Sequence, residues 1–462
     1  MDRRALDRSL AYVDSWLRWR LPREGVPGCV VAVALKGRVV FAEAYGHADL
    51  DSGRRLRADD VFRIASHSKS FTAAALVQLA GEGRLHLDDP VADHLGWVRD
   101  HRDGRWSAVT VRQLLCHGAG IVRDGLDSEF WQLGRPFPDR DQLRDEVLAA
   151  DLVLEPNLAM KYSNFGYGLA GLVIEEVTGR SYHDHVRERL LDPLGLAATT
   201  PEPERGAPGV TGHSRRALDG TRLTVPPVDT RALAPATGFA ASAADLCRWF
   251  AALAVGGRGR LLPDTAKREM QRVHWRVERP GADGDEDYGL GLELQRLGER
   301  RLFGHGGGFP GQITKTLVDP GAGLVVTALT NASDGPASDV ARGVYHVLDH
   351  LGEGAAPARA LRRLEGRYVN LWSVNDVVAV DGALAVGNPD SWKPFADRER
   401  LEPVDATTAR ITRDSSFGSE GEPVRFEVRD GAVDTVRWAG ATLWPEARWP
   451  AAERRLLRAA RR

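Results

Sequence analysis

Apolar and polar positions change their period several times along the first part of the chain. Residues 5–20 carry apolar side chains at helical spacing, which predicts an amphipathic helix that Pro22 to Gly28 bring to an end. The run Cys29 to Leu35 and the run Arg38 to Ala44 flank a Lys-Gly turn and predict a β-hairpin. Ser66 to Glu82 return to helical spacing but are apolar on most sides, so we expect a buried helix.

The middle of the chain, residues 84–290, is dominated by helical and loop patterns. Gly166 to Gly179 predict one helix, and Ser242 is a suitable N-cap for another over Ala243 to Val255. Strand patterns follow, and then a helix over residues 337–350. The predicted strands are Arg301 to Phe303, Gln312 to Val318 and Leu324 to Thr330. Strands from both ends of this region can therefore form one antiparallel sheet with helices packed around it.

The last part of the chain has a different character. Residues 352–361 have the composition of a linker, and short strands separated by turns follow it. We expect these strands at Tyr368 to Ser373, Asp376 to Val380, Ala383 to Val386, Ala409 to Thr412, Val424 to Val428 and Val433 to Trp438. The sequence thus predicts an α+β domain over residues 1–351, the linker, and a small all-β domain over residues 362–462.

Composition narrows the class of protein without identifying it. The 462 residues are 43% apolar and 27% charged with a formal net charge of −2, which argues against a disordered chain and a broad nucleic-acid-binding surface. No stretch approaches the roughly 18 apolar residues of a membrane span. Cys29, Cys116 and Cys247 are far apart, and none has metal-ligand spacing. We expect a cytoplasmic protein without metal, cofactor, nucleic-acid or membrane partner; the oligomeric state stays open.

Ser66-His67-Ser68-Lys69 is the first group of residues that suggests chemistry. Residues i and i+3 share one face of a helix, so Lys69 can reach the hydroxyl of Ser66. A serine is a weak nucleophile that needs a base, and a lysine serves if burial keeps it neutral. At a helix start, the backbone N–H of Ser66 can also stabilise an oxyanion. The alternative is an exposed lysine in the first turn of an ordinary helix.

Two further groups could complete this site. Tyr162-Ser163-Asn164 directly precedes a predicted buried helix, so the phenol can relay a proton and the amide can hold Lys69 and a substrate carbonyl. His305-Gly306-Gly307-Gly308 lies at the rim of the predicted strands, where glycines allow the close approach of a substrate backbone or form a plain bulge. A histidine facing Tyr162 could hold a proton or donate a hydrogen bond near neutral pH.

In this order, these three groups resemble the penicillin-recognising serine hydrolases, a superfamily of β-lactamases, D,D-peptidases, D-aminopeptidases and esterases. The resemblance covers roughly residues 10–350 and implies a β-lactamase-like sheet with a helical subdomain. It implies Ser66 as nucleophile, Lys69 and Tyr162 as the proton-transfer pair, and Asn164 as a positioning group. Supporting runs are Thr110 to His117, Leu191 to Leu196 and Pro235 to Phe239.

The resemblance also implies an oxyanion hole formed by the backbone N–H groups of Ser66 and Gly308. His305-Gly306-Gly307 stands where many members carry Lys-Thr-Gly, and a histidine replaces a fixed positive charge only weakly and in a pH-dependent way. The chain is therefore more similar to D-aminopeptidases, esterases and penicillin-binding-protein-type thioesterases. Some of these carry a C-terminal lipocalin-like domain, which the predicted β-domain matches in pattern.

We therefore expect a serine acyl-enzyme hydrolase or acyltransferase that acts on an amide, ester or thioester of a small peptide with D-residues. One alternative is a thioesterase that releases and cyclises a carrier-bound nonribosomal peptide. Others are a carboxylesterase and a non-catalytic peptide-binding module. The sequence leaves open whether Lys69 or Tyr162 is the general base.

Overall fold

The computed structural model describes residues 3–204, 206, 209–257, 261–277, 286–352, 359–397, 399–413 and 418–461. Within these ranges the α-helices α1 to α13 are Arg3–Glu24, Ser68–Gly81, Val91–His94, Val111–Leu115, Arg140–Ala149, Asn164–Thr178, Tyr182–Val186, Asp192–Leu194, Ala243–Leu253, Asp264–Met270, Ala337–Gly352, Arg359–Arg362 and Trp449–Ala459. The strands β1 to β20 are Gly28–Leu35, Arg38–Gly46, Phe62–Arg63, Gly212–His213, Thr224–Val225, Ala240–Ala241, Trp275–Val277, Glu286–Tyr288, Glu293–Leu297, Arg300–Phe309, Gln312–Asp319, Leu324–Thr330, Gly366–Val369, Val374–Val380, Ala383–Gly387, Glu399–Pro403, Thr408–Arg413, Pro423–Arg429, Ala432–Trp438 and Ala441–Pro445.

The described residues form two compact units, one of Gly25–Ala341 and one that combines Met1–Glu24 with Arg342–Arg462. The sequence-based boundary at residue 351 differs from this division, because α1 and most of α11 belong to the unit of the barrel. The predicted linker of residues 352–361 overlaps the end of α11 and the start of α12, and residues 353–358 lie outside the described ranges. The domain boundaries stay a prediction.

The unit Gly25–Ala341 is organised around one eight-stranded sheet in the order β2-β1-β12-β11-β10-β9-β8-β7. The predicted hairpin β1–β2 pairs through β12 with the later strands, and all these pairs are antiparallel. Helix α9 packs against β1 and β12, and its N-cap is Ser242, whose hydroxyl accepts from the backbone N–H of Asp245. The expected α+β arrangement, in which strands from both ends of the region share one sheet, is confirmed.

Helix α2 is buried along almost its whole length, as its apolar pattern predicts. Its start differs from the prediction: α2 begins at Ser68, and Ser66 lies on a preceding 3-10 turn, Ala65–His67. Ala65, the first residue of this turn, has a positive φ of 48°, which an α-helix does not contain. The first functional residue therefore projects from a strained turn and not from the first turn of the helix.

Strand β10 is longer than predicted, because the three glycines after His305 continue the strand. A Cβ atom on Gly307 would lie 2.5 Å from Thr314 Oγ1 and closer still to the carbonyl oxygen of Ile64. The glycine thus lets β10 approach the segment that leads into Ser66. At Gly307, the group that comes close is the protein's own backbone at Ile64.

The second unit contains a closed antiparallel barrel in the order β13 to β20, in which β13 also pairs with β20. This confirms the small all-β domain and its lipocalin-like character. The sequence reading missed β16, β20 and the terminal helix α13, and it ended α1 too early. Helix α1 continues through Pro22 to Glu24, and Gly25 follows with a positive φ of 65°. Leu384, Leu401, Val424 and Val436 are among the buried residues of the barrel core.

Candidate active site

Ser66 is held on a rigid turn that several buried hydrogen bonds stabilise. The hydroxyl of Ser68 donates to the carbonyl oxygen of Ala65 at 2.5 Å. The imidazole of His67 is fully buried and lies 3.0 Å from both the carbonyl oxygen of Ile64 and the hydroxyl of Thr316 on β11. These contacts compensate for the left-handed conformation of Ala65, a kind of strain that often occurs at functional sites.

Lys69 is fully buried and lies one helical turn from the nucleophile. Its Nζ is 3.2 Å from Ser66 Oγ, 2.7 Å from Asn164 Oδ1 and 2.9 Å from the carbonyl oxygen of Ala236. Burial lowers the pKa of Lys69 well below its ordinary value, although the carboxylate of Asp124 raises it. Lys69 is therefore the buried lysine that the motif predicts, and the alternative of an exposed lysine in an ordinary helix does not apply.

Tyr162 contacts Ser66 although the two residues are 96 positions apart in the sequence. Its hydroxyl donates to Ser66 Oγ at 2.8 Å, and its ring lies over the imidazole of His117 with centroids 4.2 Å apart. Burial raises the pKa of Tyr162 well above the ordinary value of a phenol. The phenol is therefore protonated at neutral pH and acts towards Ser66 as a hydrogen-bond donor.

Asn164 links the lysine to a buried carboxylate. Ser163 caps α6 by accepting from the N–H of Gly166, which places Asn164 at the first position of the helix. The Asn164 side chain accepts from Lys69 and donates through Nδ2 to Asp124 Oδ1 at 2.6 Å. Asp124 is itself buried, so the amide connects the Lys69 amine to a buried carboxyl group and fixes the position of both.

His305 belongs to a buried chain of hydrogen bonds whose direction the geometry fixes. Its Nδ1 donates to the carbonyl oxygen of Gly306 at 2.6 Å, so its Nε2 accepts from the hydroxyl of Tyr288 at 3.0 Å. His117 Nδ1 accepts from the N–H of Ser163 at 3.1 Å, so its Nε2–H donates to the Tyr288 oxygen at 3.2 Å. Both imidazoles are then neutral, each in one defined tautomer.

Electrostatics support this assignment. Burial lowers the pKa of His305 to about 4, although Glu293 raises it, and burial also lowers the pKa of His117 well below its ordinary value. Glu293 forms an ion pair of 2.5 Å with Lys315. Although burial raises the pKa of Glu293, the ammonium group of Lys315 holds it well below its usual range. With its pKa lowered to about 4, His305 is uncharged at neutral pH. Of the two roles expected for it, holding a proton or donating a hydrogen bond, the structure shows the second, from Nδ1 to Gly306. Its Nε2 contacts Tyr288.

The glycines after His305 line an edge of β10 that pairs with no strand among the described residues. The pairing of β9 with β10 ends at Gly304, and the N–H of Gly306 bonds to the carboxylate of Glu293 on that side. Backbone groups alternate along a strand, so the N–H of Gly308 points to the same edge. This orientation is compatible with the predicted oxyanion donor at Gly308.

The structure thus brings Ser66, Lys69, Tyr162 and Asn164 into direct contact, and it places His305 one hydrogen-bonded tyrosine away from His117. The sequence reading missed Asp124, His117 and Tyr288 as parts of this site. His117 ends a run that the resemblance singled out, so only its role was missing. Asp124 and Tyr288 carry no local signal, because their roles depend on tertiary contacts.

Two other kinds of site are absent from the described part of the chain. In it, no group of three His, Cys, Asp or Glu side chains has an arrangement that could hold a metal ion. Likewise, none of the helices there combines the length and the apolar character that crossing a membrane requires.

The fold and the serine–lysine–tyrosine cluster define the superfamily of penicillin-recognising serine hydrolases. More particularly, the sequence profile of the beta-lactamase family matches residues 10–350, and the chain belongs to that family. The resemblance stated from the sequence is thereby confirmed.

The individual proteins to which the chain is similar share about 30% sequence identity with it. Protein flp of Staphylococcus aureus (strain MW2) is 30% identical over 197 residues, which are 43% of this chain and 39% of flp. Esterase EstB of Burkholderia gladioli is 31% identical over 236 residues, which are 47% of this chain and 59% of EstB. The chain thus matches less than two thirds of the length of these relatives. The crystal structure of a D-stereospecific amidohydrolase from Streptomyces sp. is similar with a TM-score of 0.62 and 29% identity, over 75% of this chain and 99% of that protein.

Proposed function

We propose that the protein is a serine acyl-enzyme hydrolase or acyltransferase that acts on amides or esters of small peptides with D-residues. The observation that carries the proposal is the position of Ser66 Oγ between Lys69 Nζ at 3.2 Å and the Tyr162 hydroxyl at 2.8 Å. A serine with two proton-transfer groups in reach, on a strained turn, has the arrangement of an activated nucleophile. A hydrolase of this type needs no metal or cofactor.

The hydrogen bonds favour Lys69 as the general base in acylation. A neutral lysine has two N–H groups, and those of Lys69 donate to Asn164 Oδ1 and to the carbonyl oxygen of Ala236. The remaining position on Nζ, its lone pair, therefore faces Ser66. The protonated phenol of Tyr162 already donates to Ser66 Oγ, and the serine proton is thereby directed towards Lys69. The raised pKa of the phenol and the lowered pKa of the amine agree with this assignment.

The reaction then follows from these roles. Ser66 Oγ attacks the substrate carbonyl carbon while its proton passes to Lys69, and the N–H groups of Ser66 and Gly308 stabilise the oxyanion. The leaving amine or alcohol receives a proton from Lys69, or from Tyr162, which Lys69 then reprotonates. A second nucleophile releases the acyl group from Ser66. Water gives hydrolysis, whereas an amine or alcohol gives acyl transfer.

The substrate class rests on the relatives. EstB bears the name of an esterase and the Streptomyces protein that of a D-stereospecific amidohydrolase, so both bond types and D-configuration are the first substrates to test. Release of a carrier-bound peptide thioester, with cyclisation by the substrate's own amine, uses the same acyl-enzyme and stays a prediction from the sequence.

The test compares hydrolysis of D- and L-phenylalanine amide and of their methyl esters. We expect turnover of the D-substrates and its loss in Ser66→Ala, because the nucleophile is removed. Ser107→Ala is the matched control, since the Ser107 hydroxyl is exposed and bonds only locally, to the carbonyl oxygen of Gly104. Turnover that Ser66→Ala retains, or a preference for the L-substrates, would overturn the proposal.

A further inference from the structure

Glu293 on β9 is the exposed member of an otherwise buried group of side chains beside β10. Its Oε2 lies 2.5 Å from Lys315 Nζ on β11, and its Oε1 lies 3.5 Å from His305 Nδ1. The Glu293 side chain is 29% exposed, whereas those of Lys315 and His305 are 9% and 1% exposed. A ligand that lies along this edge of β10 therefore meets the carboxylate of the ion pair and not the ammonium group.

The same carboxylate occupies a backbone position close to the predicted oxyanion donor. The N–H of Gly306 bonds to Glu293, and Gly308 follows two residues further along β10. Two residues of a strand span roughly 7 Å. A charge on the substrate residue next to the reacting carbonyl is therefore close enough to Glu293 to interact with it.

The leaving group lies on the side of the site that the field of Glu293 reaches. It receives its proton from Lys69 or Tyr162 in the proposed reaction, so it must come within hydrogen-bond distance of one of these groups. Burial shifts the pKa of Tyr162 upwards and that of Lys69 downwards, and the negative charge of Glu293 raises the pKa of both. A charged substituent on the leaving group would feel the same field.

The neighbouring cations do not offset this negative face. Lys315 is paired with Glu293 itself, and Arg123 Nε lies 3.1 Å from Asp124 Oδ2, so neither pair carries a net charge. Lys69 is a neutral amine when it acts as the base. A carboxylate on the leaving group is therefore repelled by the exposed carboxylate of Glu293 without a net attraction from these pairs.

We propose that Glu293 selects against substrates whose leaving group carries a free carboxylate, so that the protein prefers neutral amides and esters to peptides with a free C-terminus. This inference rests on the proposed function, because it narrows the substrate class of the same site. Glu293 is a specificity residue in this account and takes no part in proton transfer.

The experiment compares kcat/KM for two esters of D-phenylalanine, one with glycolic acid and one with glycolamide, whose leaving groups differ by one negative charge. The ratio of the two values is compared between proteins, so the intrinsic reactivity of each ester cancels. The wild type should favour the neutral ester. Glu293→Gln should reduce this preference about tenfold, because it removes the repelling charge and leaves that of Lys315 uncompensated. Glu293→Asp keeps the charge and should retain most of the preference.

Glu269→Gln is the matched control. Glu269 is 32% exposed and forms an ion pair with Arg112 on α4, so it resembles Glu293 in exposure and pairing but lies outside the cluster around Ser66. It should leave the ratio unchanged. A wild-type preference for the anionic ester would overturn the inference. So would a wild-type ratio in a Glu293→Gln protein whose Ser66 still reacts with a fluorophosphonate.

A measurement on the wild type alone keeps the inference testable if Glu293→Gln does not fold. Raising the ionic strength from about 0.02 M to about 0.5 M should weaken the preference for the neutral ester, because salt screens the repulsion. A preference that salt leaves unchanged would overturn the inference. Turnover of the neutral ester by the wild type would show that the proposed function survives such a result, whereas failure to hydrolyse either ester would contradict that function itself.

Discussion

Replacing Gly307 by alanine tests whether β10 positions the turn that carries the nucleophile. The new methyl group would lie 2.5 Å from Thr314 Oγ1 and closer still to the carbonyl oxygen of Ile64, whereas such atoms normally stay about 3.5 Å apart. Relief therefore requires β10 or the segment of Ile64 to move by roughly 1 Å. We expect a loss of about 2 kcal/mol in the free energy of unfolding. Because Ser66 moves with Ile64, acylation should also slow on the order of 100-fold.

Two assays follow these effects separately. Calorimetry measures the unfolding transition, and timed labelling with a fluorophosphonate measures the rate at which Ser66 is acylated. Gly306→Ala is the matched control for stability, because a Cβ atom there meets nothing closer than 3.6 Å. A Gly307→Ala protein that unfolds at the wild-type temperature and labels at the wild-type rate would show that β10 does not position the turn of Ser66.

Three other substitutions probe the site. Tyr162→Phe removes the hydroxyl that donates to Ser66, and labelling should slow about 100-fold; an unchanged rate would exclude a role in proton transfer. The labelling rate should rise with pH as Lys69 deprotonates. Because Asp124 raises the pKa of Lys69, Asp124→Asn should shift this rise to lower pH. A pH–rate profile that is the same in Asp124→Asn and the wild type would contradict this. Tyr288→Phe leaves two buried imidazole nitrogens without a partner and should cost about 2 kcal/mol of stability, and calorimetry that shows no change would disprove the hydrogen-bond chain.

The parts of the fold that the sequence predicts are those that local pattern determines. The hairpin β1–β2 has two apolar runs on either side of a glycine turn, and α9 has a polar cap followed by helical spacing. The barrel strand β16 was missed because Glu399–Pro403 carries one buried apolar residue between charged ones. Its pairing with β15 and β17, and not its own pattern, makes it a strand.

The site shows the same division. Ser66, Lys69, Tyr162 and Asn164 were predicted because each stands in a short motif next to a helix, and the structure brings them together. The role of His305 was not predictable, since its charge depends on burial and its hydrogen-bond partner Tyr288 lies on another strand. The spacing of motifs predicts which residues meet. The protonation state of a residue such as His305 depends on the burial and the neighbours that only the folded protein provides.

Mapping a fluorophosphonate adduct shows whether Ser66 is an activated nucleophile. Trypsin releases the peptide Ile64 to Lys69, which contains Ser66 and Ser68, and fragmentation distinguishes the two serines. The account predicts a stoichiometric adduct on Ser66 alone, at a rate that falls strongly in Lys69→Met. No adduct on the folded protein, or an adduct on another serine, would contradict it.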